Sequence, residues 1–235
     1  MARLARVIAP GVPHHITQRG NARRVVFETD ADRLVYLELL DANRRLYGVA
    51  ILGFCLMSNH VHLVAIPERM GSLALALRHT HGRYAAYLNA RQNASGHVWQ
   101  GRYYSCPLDT NHLWAALRYT ELNPVRAGLA VSPERYPWSS AATHTGYPGV
   151  ELPLVLDAGL WYEEWNAHSW REFLGSTEGD GEVEVLRTNT HTGRPLGTKE
   201  FVESVERSLG RRLAPQKGGR PRHPAAQPRQ AVFPF

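Results

Sequence analysis

The chain has 235 residues, 43% hydrophobic and 20% charged, with 27 Lys+Arg against 21 Asp+Glu and a formal charge of +6. That length and composition describe a globular chain with one sizeable core and an appendage. No run approaches the roughly 18 consecutive apolar residues of a spanning helix, and the opening MARLARVIAP is no secretory signal, so a cytoplasmic setting without membrane contact is expected.

Residues 13–19 (PHHITQR) read as a short strand, followed by a turn at Gly20-Asn21. From Asp30 to Tyr47, Leu34, Leu37, Leu40 and Leu46 recur near helical spacing, with Thr29 or Asp30 as N-cap and Gly48 beyond the end. Two β-rich runs, VAILGFCLM (49–57) and HVHLVAIP (60–67), flank Ser58-Asn59 and predict a hairpin. A second helix is expected over 71–93 and a strand or strand-like loop over 97–108. A third helix runs from an Asp109 cap to about Leu122, where Asn123-Pro124 is expected to end it. This order predicts an α+β domain, a ferredoxin-like antiparallel sheet with helices on one face. The expected divisions are a catalytic domain over 1–146, an extension and linker over 147–182, a small helical C-terminal region over 183–213, and a disordered basic tail over 214–235. Cys55 and Cys106 lie in apolar segments without Cys-x-x-Cys spacing and read as buried thiols.

Charge is unevenly spread. Residues 1–150 carry 16 Arg and no Lys against 9 acids, 151–209 carry 5 basic and 12 acidic residues, and 210–235 carry 6 basic residues and no acid. A basic body and tail point to a polyanion, most simply nucleic acid; the plainer alternative is a solvated surface.

The most informative stretch is Asn59-His60-Val61-His62. Strand alternation puts both imidazoles on one face, a half-site for a divalent metal. On the third helix Tyr119 and Asn123 are four apart and share a face. Near a metal, the phenol suits a nucleophile and the amide oxygen a further ligand. Otherwise Tyr119 is a rim or core residue and Asn123 a helix stop. Tyr103 and Tyr104 compete as nucleophiles, with Tyr84 and Tyr87 more distant. The segment Trp99–Tyr104 interleaves aromatics with Arg102, which suits contact with single-stranded DNA, while Trp99 itself reads as structural. The basic loop carrying Arg19, Arg23 and Arg24 suits the foot of a DNA hairpin, or is only a solvated turn. In the tail, Arg220-Pro221-Arg222 resembles a minor-groove hook, with nonspecific phosphate attraction as the simpler use.

The combination SNHVHLV, VWQGRYYS and RYTELNPVRAGL resembles the REP-associated tyrosine transposases, a branch of the HUH single-tyrosine transposases, over roughly residues 5–145. The resemblance implies the HUH endonuclease fold, metal binding by His60 and His62, and attack on single-stranded DNA by Tyr119. It makes Asn123 the third ligand, where relatives commonly place Gln. It further implies Mg²⁺ or Mn²⁺ as cofactor, hairpins of palindromic repeats as partner, and a 5′-phosphotyrosine intermediate; dimers and monomers both occur among relatives, so a homodimer is one arrangement. Two imidazoles also suit Zn²⁺. Two other classes compete: a non-catalytic, sequence-specific repeat-binding regulator on the same scaffold, and a metal hydrolase with activated water. The hydrolase wants a carboxylate base near the histidines, and the first acid after them is Glu68.

Overall fold

The computed structural model describes residues 6–177 and 179–213. The basic tail, with Arg220 and Arg222, lies outside the described residues.

The first strand β1 (His14–Arg19) leads into helix α1 (Asp30–Tyr47). Its N-cap is Thr29, whose hydroxyl accepts from Asp32 N while Asp32 accepts from Thr29 N, a reciprocal capping box. Gly48 closes the helix at φ 65°, a left-handed conformation glycine adopts at no steric cost. The hairpin is β2 (Val49–Met57) and β3 (His60–Pro67), then come helix α2 (Ser72–Arg91) and strand β4 (Tyr104–Pro107). The sheet is antiparallel in the order β2-β3-β1-β4. Only the end of the expected 97–108 strand pairs. Before it the chain is tied by single contacts, a Gly20–Trp99 bridge and Gln100 N on Arg19 O at 2.9 Å, and turns through Gly101 at φ 132°.

Helices α1 and α2 pack on one face, meeting Ile16, Phe54, Leu56, Val61, Leu63 and Ala65. This is the expected ferredoxin-like layer. The third helix, α3 (Thr110–Arg126), lies across the opposite face, where Leu113, Ala116 and Leu117 meet Leu52, Val64 and Cys106. It crosses β2 so closely at Gly53 that an added Cβ would lie 2.2 Å from Leu117 Cδ1.

Contrary to expectation, α3 does not stop at Asn123-Pro124. Pro124 brings no N–H for the Thr120 carbonyl, but the Asn123 amide reaches back to Tyr119 O at 2.9 Å and Thr120 O at 3.4 Å, and the last turn survives to Arg126.

Beyond it, short helices α4 (Ala141–Thr145), α5 (Gly159–Glu164) and α6 (Ala167–Gly175) build a tryptophan cluster of Trp161, Trp165 and Trp170 under α3. Helix α7 (Asp180–Thr192), which begins inside the stretch expected as linker, lies against β4, and α8 (Lys199–Leu209) folds back so that Val205 meets Val7 and Ala9. The link between them is sewn to β4: Leu196 N donates to Pro107 O at 2.8 Å, and Thr198 N to the Asp109 carboxylate at 2.9 Å. Both cysteines are buried and unpaired.

Candidate active site

Alternation along β3 sends Val61, Leu63 and Ala65 toward α1 and α2 and turns His60 and His62 to the face of α3. Their rings stand 4.9 Å apart, centre to centre. His60 Nδ1 lies 2.6 Å from Asn59 Oδ1, so this nitrogen carries the proton and Nε2 is left as a lone-pair donor. His62 Nδ1 lies 3.1 Å from Nε2 of His15 on β1, and His15 Nδ1 lies 2.8 Å from Thr190 Oγ1 on α7. Burial holds His60 down to about 4, helped by Arg19 opposite it in the sheet. Burial also puts His62 well below the usual value, with His15, His60, Arg19 and Arg126 adding to the effect. Both imidazoles are therefore neutral at pH 7, the form that ligates a cation.

Tyr119 is 5% exposed, its ring edge-on to His62 at 5.6 Å and to His15 at 5.7 Å between centres. Asn123 and Arg126 follow on the same face of α3. Because the Asn123 nitrogen donates to the helix backbone, its Oδ1 is the atom left to meet a cation. The Arg126 guanidinium lies 4.5 Å over the Tyr119 ring and donates to its carbonyl at 2.8 Å. From α7, Arg187 Nε donates to Tyr119 Oη at 3.2 Å, and His191 stacks on Tyr104 at 4.5 Å.

These groups line one cleft of about 610 Å³, which also takes in Arg19, Arg23 and Gln100. Among the described residues its wall holds four arginines and no carboxylate. Among the described residues no three His, Cys, Asp or Glu side chains are placed to hold a metal ion by themselves; the candidate donor set is two imidazole nitrogens and one amide oxygen. These three fit a divalent ion that tolerates mixed nitrogen and oxygen ligands.

Residues 10–123 match the family described as "Transposase IS200 like". The matched segment, a little under half of the chain, is similar to the IS200-like transposases. It contains the whole sheet and ends at Asn123, so His60, His62, Tyr119 and Asn123 all lie within it. The chain is similar to a solved "REP associates tyrosine transposase bound to a REP hairpin" at TM-score 0.54 and 17% identity, covering 68% of this chain and 97% of that one. The fold is thus the mixed α+β fold of that transposase. A putative transposase from Deinococcus radiodurans R1 matches at TM-score 0.34 and 16% identity, covering 50% of this chain and 95% of that one. No curated protein matches the chain.

Of the residues singled out in the IS200-like segment, the structure brings together His60, His62, Tyr119, Asn123, Arg19 and Arg23. Arg24 turns away to Gln92 Oε1 at 2.5 Å, and Arg102 lines a separate groove with Arg6, Trp99 and Tyr103. The rival tyrosines are occupied elsewhere: Tyr84 donates to Val26 O and Tyr87 to Asp32, while Tyr103 is buried beneath the Arg6 guanidinium. Tyr104 sits at the cleft rim under His191. Trp99 is structural, its indole donating to His81 O at 2.9 Å within an aromatic core. Sequence reading missed His15, Arg126, Arg187 and Thr190. Strand alternation in HHITQR puts His15 with Thr17 and Arg19, and helical spacing puts Arg126 seven residues after Tyr119, so those two carried a signal. Nothing local marks Arg187 or Thr190. No helix among the described residues is long and apolar enough to cross a membrane.

Proposed function

We propose that this chain is a DNA transposase that cuts and rejoins single-stranded DNA at hairpin-forming palindromic repeats, through a 5′-phosphotyrosine on Tyr119. The observation that carries this reading is the convergence of Tyr119, two neutral histidines and four arginines in one acid-free cleft. The hairpin bound by the similar transposase supports the same partner class here.

The arginines attract the phosphate backbone, and their planar forks suit phosphate oxygens. Tyr119 Oη attacks the scissile phosphorus, the Oη–P bond forms, the P–O3′ bond breaks, and the phenolic proton is balanced by one taken up on the leaving 3′-oxygen. The phosphotyrosine keeps the energy of the phosphodiester, so a 3′-hydroxyl of another strand reverses the step and joins. His60 Nε2, His62 Nε2 and Asn123 Oδ1 would hold Mg²⁺ or Mn²⁺. When bound, such an ion polarises the scissile phosphate as a Lewis acid. Tyr119 stands beside histidines of its own chain, so the reading needs no second copy.

The test incubates single-stranded oligonucleotides carrying the palindromes that flank the coding gene with Mn²⁺ or Mg²⁺, followed by a denaturing protein gel. A covalent adduct should form with the wild type and metal and be lost in Tyr119→Phe and His60→Ala. Hairpin binding without adduct would favour the repeat-binding regulator, and cleavage without adduct a hydrolytic nuclease.

A further inference from the structure

We infer that Arg187, on α7, is a catalytic residue that holds the phosphoryl group passing through Tyr119; this deepens the strand-transfer reading and rests on it. The residue lies 64 positions beyond the end of the family match at Asn123, on a helix outside the βαββαβ core.

The placement follows from how α7 docks. Val183, Leu186 and Thr190 recur at helical spacing; Leu186 is 4% and Thr190 3% exposed against the body. Arg187 is on that same turn, beside the buried pair. Its exposed side chain runs over the cleft mouth, with the guanidinium carbon 5.5 Å from the Tyr119 ring centre and Nε donating to Oη at 3.2 Å. Thr190, one turn later, holds His15 at 2.8 Å. The register of α7 is therefore set by contacts on both sides of Arg187. The helix is also anchored at its far end, where the Arg194 carbonyl accepts from Cys106 Sγ at 3.0 Å on β4.

A donor already on Oη is placed for what Oη becomes. When the Oη–P bond forms, two non-bridging oxygens arrive one bond beyond phosphorus, and a small rotation of the fork carries Nε and an Nη from the phenol oxygen onto them. Charge on these oxygens grows in the transition state as the P–O3′ bond breaks, so the contact strengthens during the step and favours it. Arg126 differs in that its Nη1 donates to the Tyr119 carbonyl at 2.8 Å, whereas Arg187 bonds Oη itself. The role of Arg126 is to position the tyrosine.

The experiment compares wild type, Arg187→Gln, Arg187→Lys and Tyr119→Phe on the flanking-palindrome oligonucleotide. The single-turnover rate of adduct formation with Mn²⁺ is read separately from hairpin affinity without metal, measured by fluorescence anisotropy. Removing one such donor typically slows the step by about 100-fold, so Arg187→Gln should lose about that much in rate while affinity changes less than about threefold. Arg187→Lys, keeping charge without the fork, should recover part of the rate. A melting curve like that of the wild type shows the variant is folded, and this exposed side chain gives little reason to expect otherwise. Adduct formation by Arg187→Gln at or above the wild-type rate would overturn the assignment alone; a faster rate would make the contact a restraint on Tyr119. A matched loss of rate and affinity also overturns it, reducing Arg187 to a binding contact. An adduct that persists in Tyr119→Phe, or is absent from wild type, overturns the underlying reading as well.

Discussion

His15 uses both ring nitrogens, and that fixes what His62 can do. A hydrogen bond between two imidazole nitrogens needs one proton. If His62 Nδ1 supplies it, His62 Nε2 is a free lone pair, and His15 must carry its own proton on Nδ1, facing Thr190 Oγ1 at 2.8 Å. The opposite arrangement protonates His62 Nε2 and bars it from a metal. The partner of a ligating imidazole typically changes metal affinity by about 10–100-fold. His15→Ala is therefore expected to weaken Mn²⁺ binding by at least tenfold in calorimetric titration of the metal-free protein. Thr190→Val should produce a smaller loss in the same direction. Equal affinity in wild type and His15→Ala would show that His62 needs no such support. Asn59 plays the matching part for His60 at 2.6 Å, so the residue before the histidine pair works with it.

Helix α3 carries Tyr119, and its opposite face carries the anchor. Glu121 is fully buried, and its carboxylate accepts from Ser140 Oγ at 2.5 Å, His144 Nδ1 at 2.6 Å and Trp170 Nε1 at 2.8 Å, tying α3 to α4 and α6. Removing one member of such a buried network leaves several polar groups unpaired, at a cost of about 3–5 kcal/mol. Glu121→Ala should lower the unfolding free energy from urea titration by that amount, and Glu121→Gln, which keeps an acceptor oxygen, by less. A change below about 1 kcal/mol for Glu121→Ala would mean the network closes over the gap. This anchor explains which elements could be read in advance. Helix α1 announces itself through a cap, a leucine stripe and a terminal glycine, all local signals. The histidine pair and Tyr119 with Asn123 were legible for the same reason, since strand and helix periods alone decide their faces. Helix α7 was not legible. Its packing face is little more than Val183, Leu186 and Thr190, between acidic residues, and it gains its place from the edge of β4 about 80 residues earlier. Long-range packing of that kind leaves no mark in a local window.

At the scale of the molecule, the acidic stretch over 151–209 is not a detached counterweight to the basic body. It folds against that body and brings Arg187 into the cleft. The body in turn buries several histidines in neutral form. Burial lowers His14 to about 4, partly offset by its bonds to the Val12 and Val7 backbone, and lowers His15 and His81 to about 3. In the unfolded chain each returns to about 6.5. Below that pH the unfolded state takes up protons the folded state refuses, so the contribution of these groups is whole above pH 6.5. It is lost progressively as pH falls toward 4 and then 3. One depressed histidine costs about 2 kcal/mol by pH 5, so three approach the scale of a whole domain's stability, about 5–15 kcal/mol. Urea unfolding from pH 7.5 to 5 should therefore show a steep fall in midpoint, in a window above the range where most carboxylates titrate. His81 is not among the residues lining the cleft and is bonded to Tyr36 Oη at 3.1 Å. His81→Gln keeps a polar partner there without a titrating one and should reduce the slope by about a fifth, because burial lowers His60 and His62 as well. A midpoint flat across that window would show that these imidazoles reach water in the folded protein, and a slope unchanged in His81→Gln would shift the effect to the histidines lining the cleft.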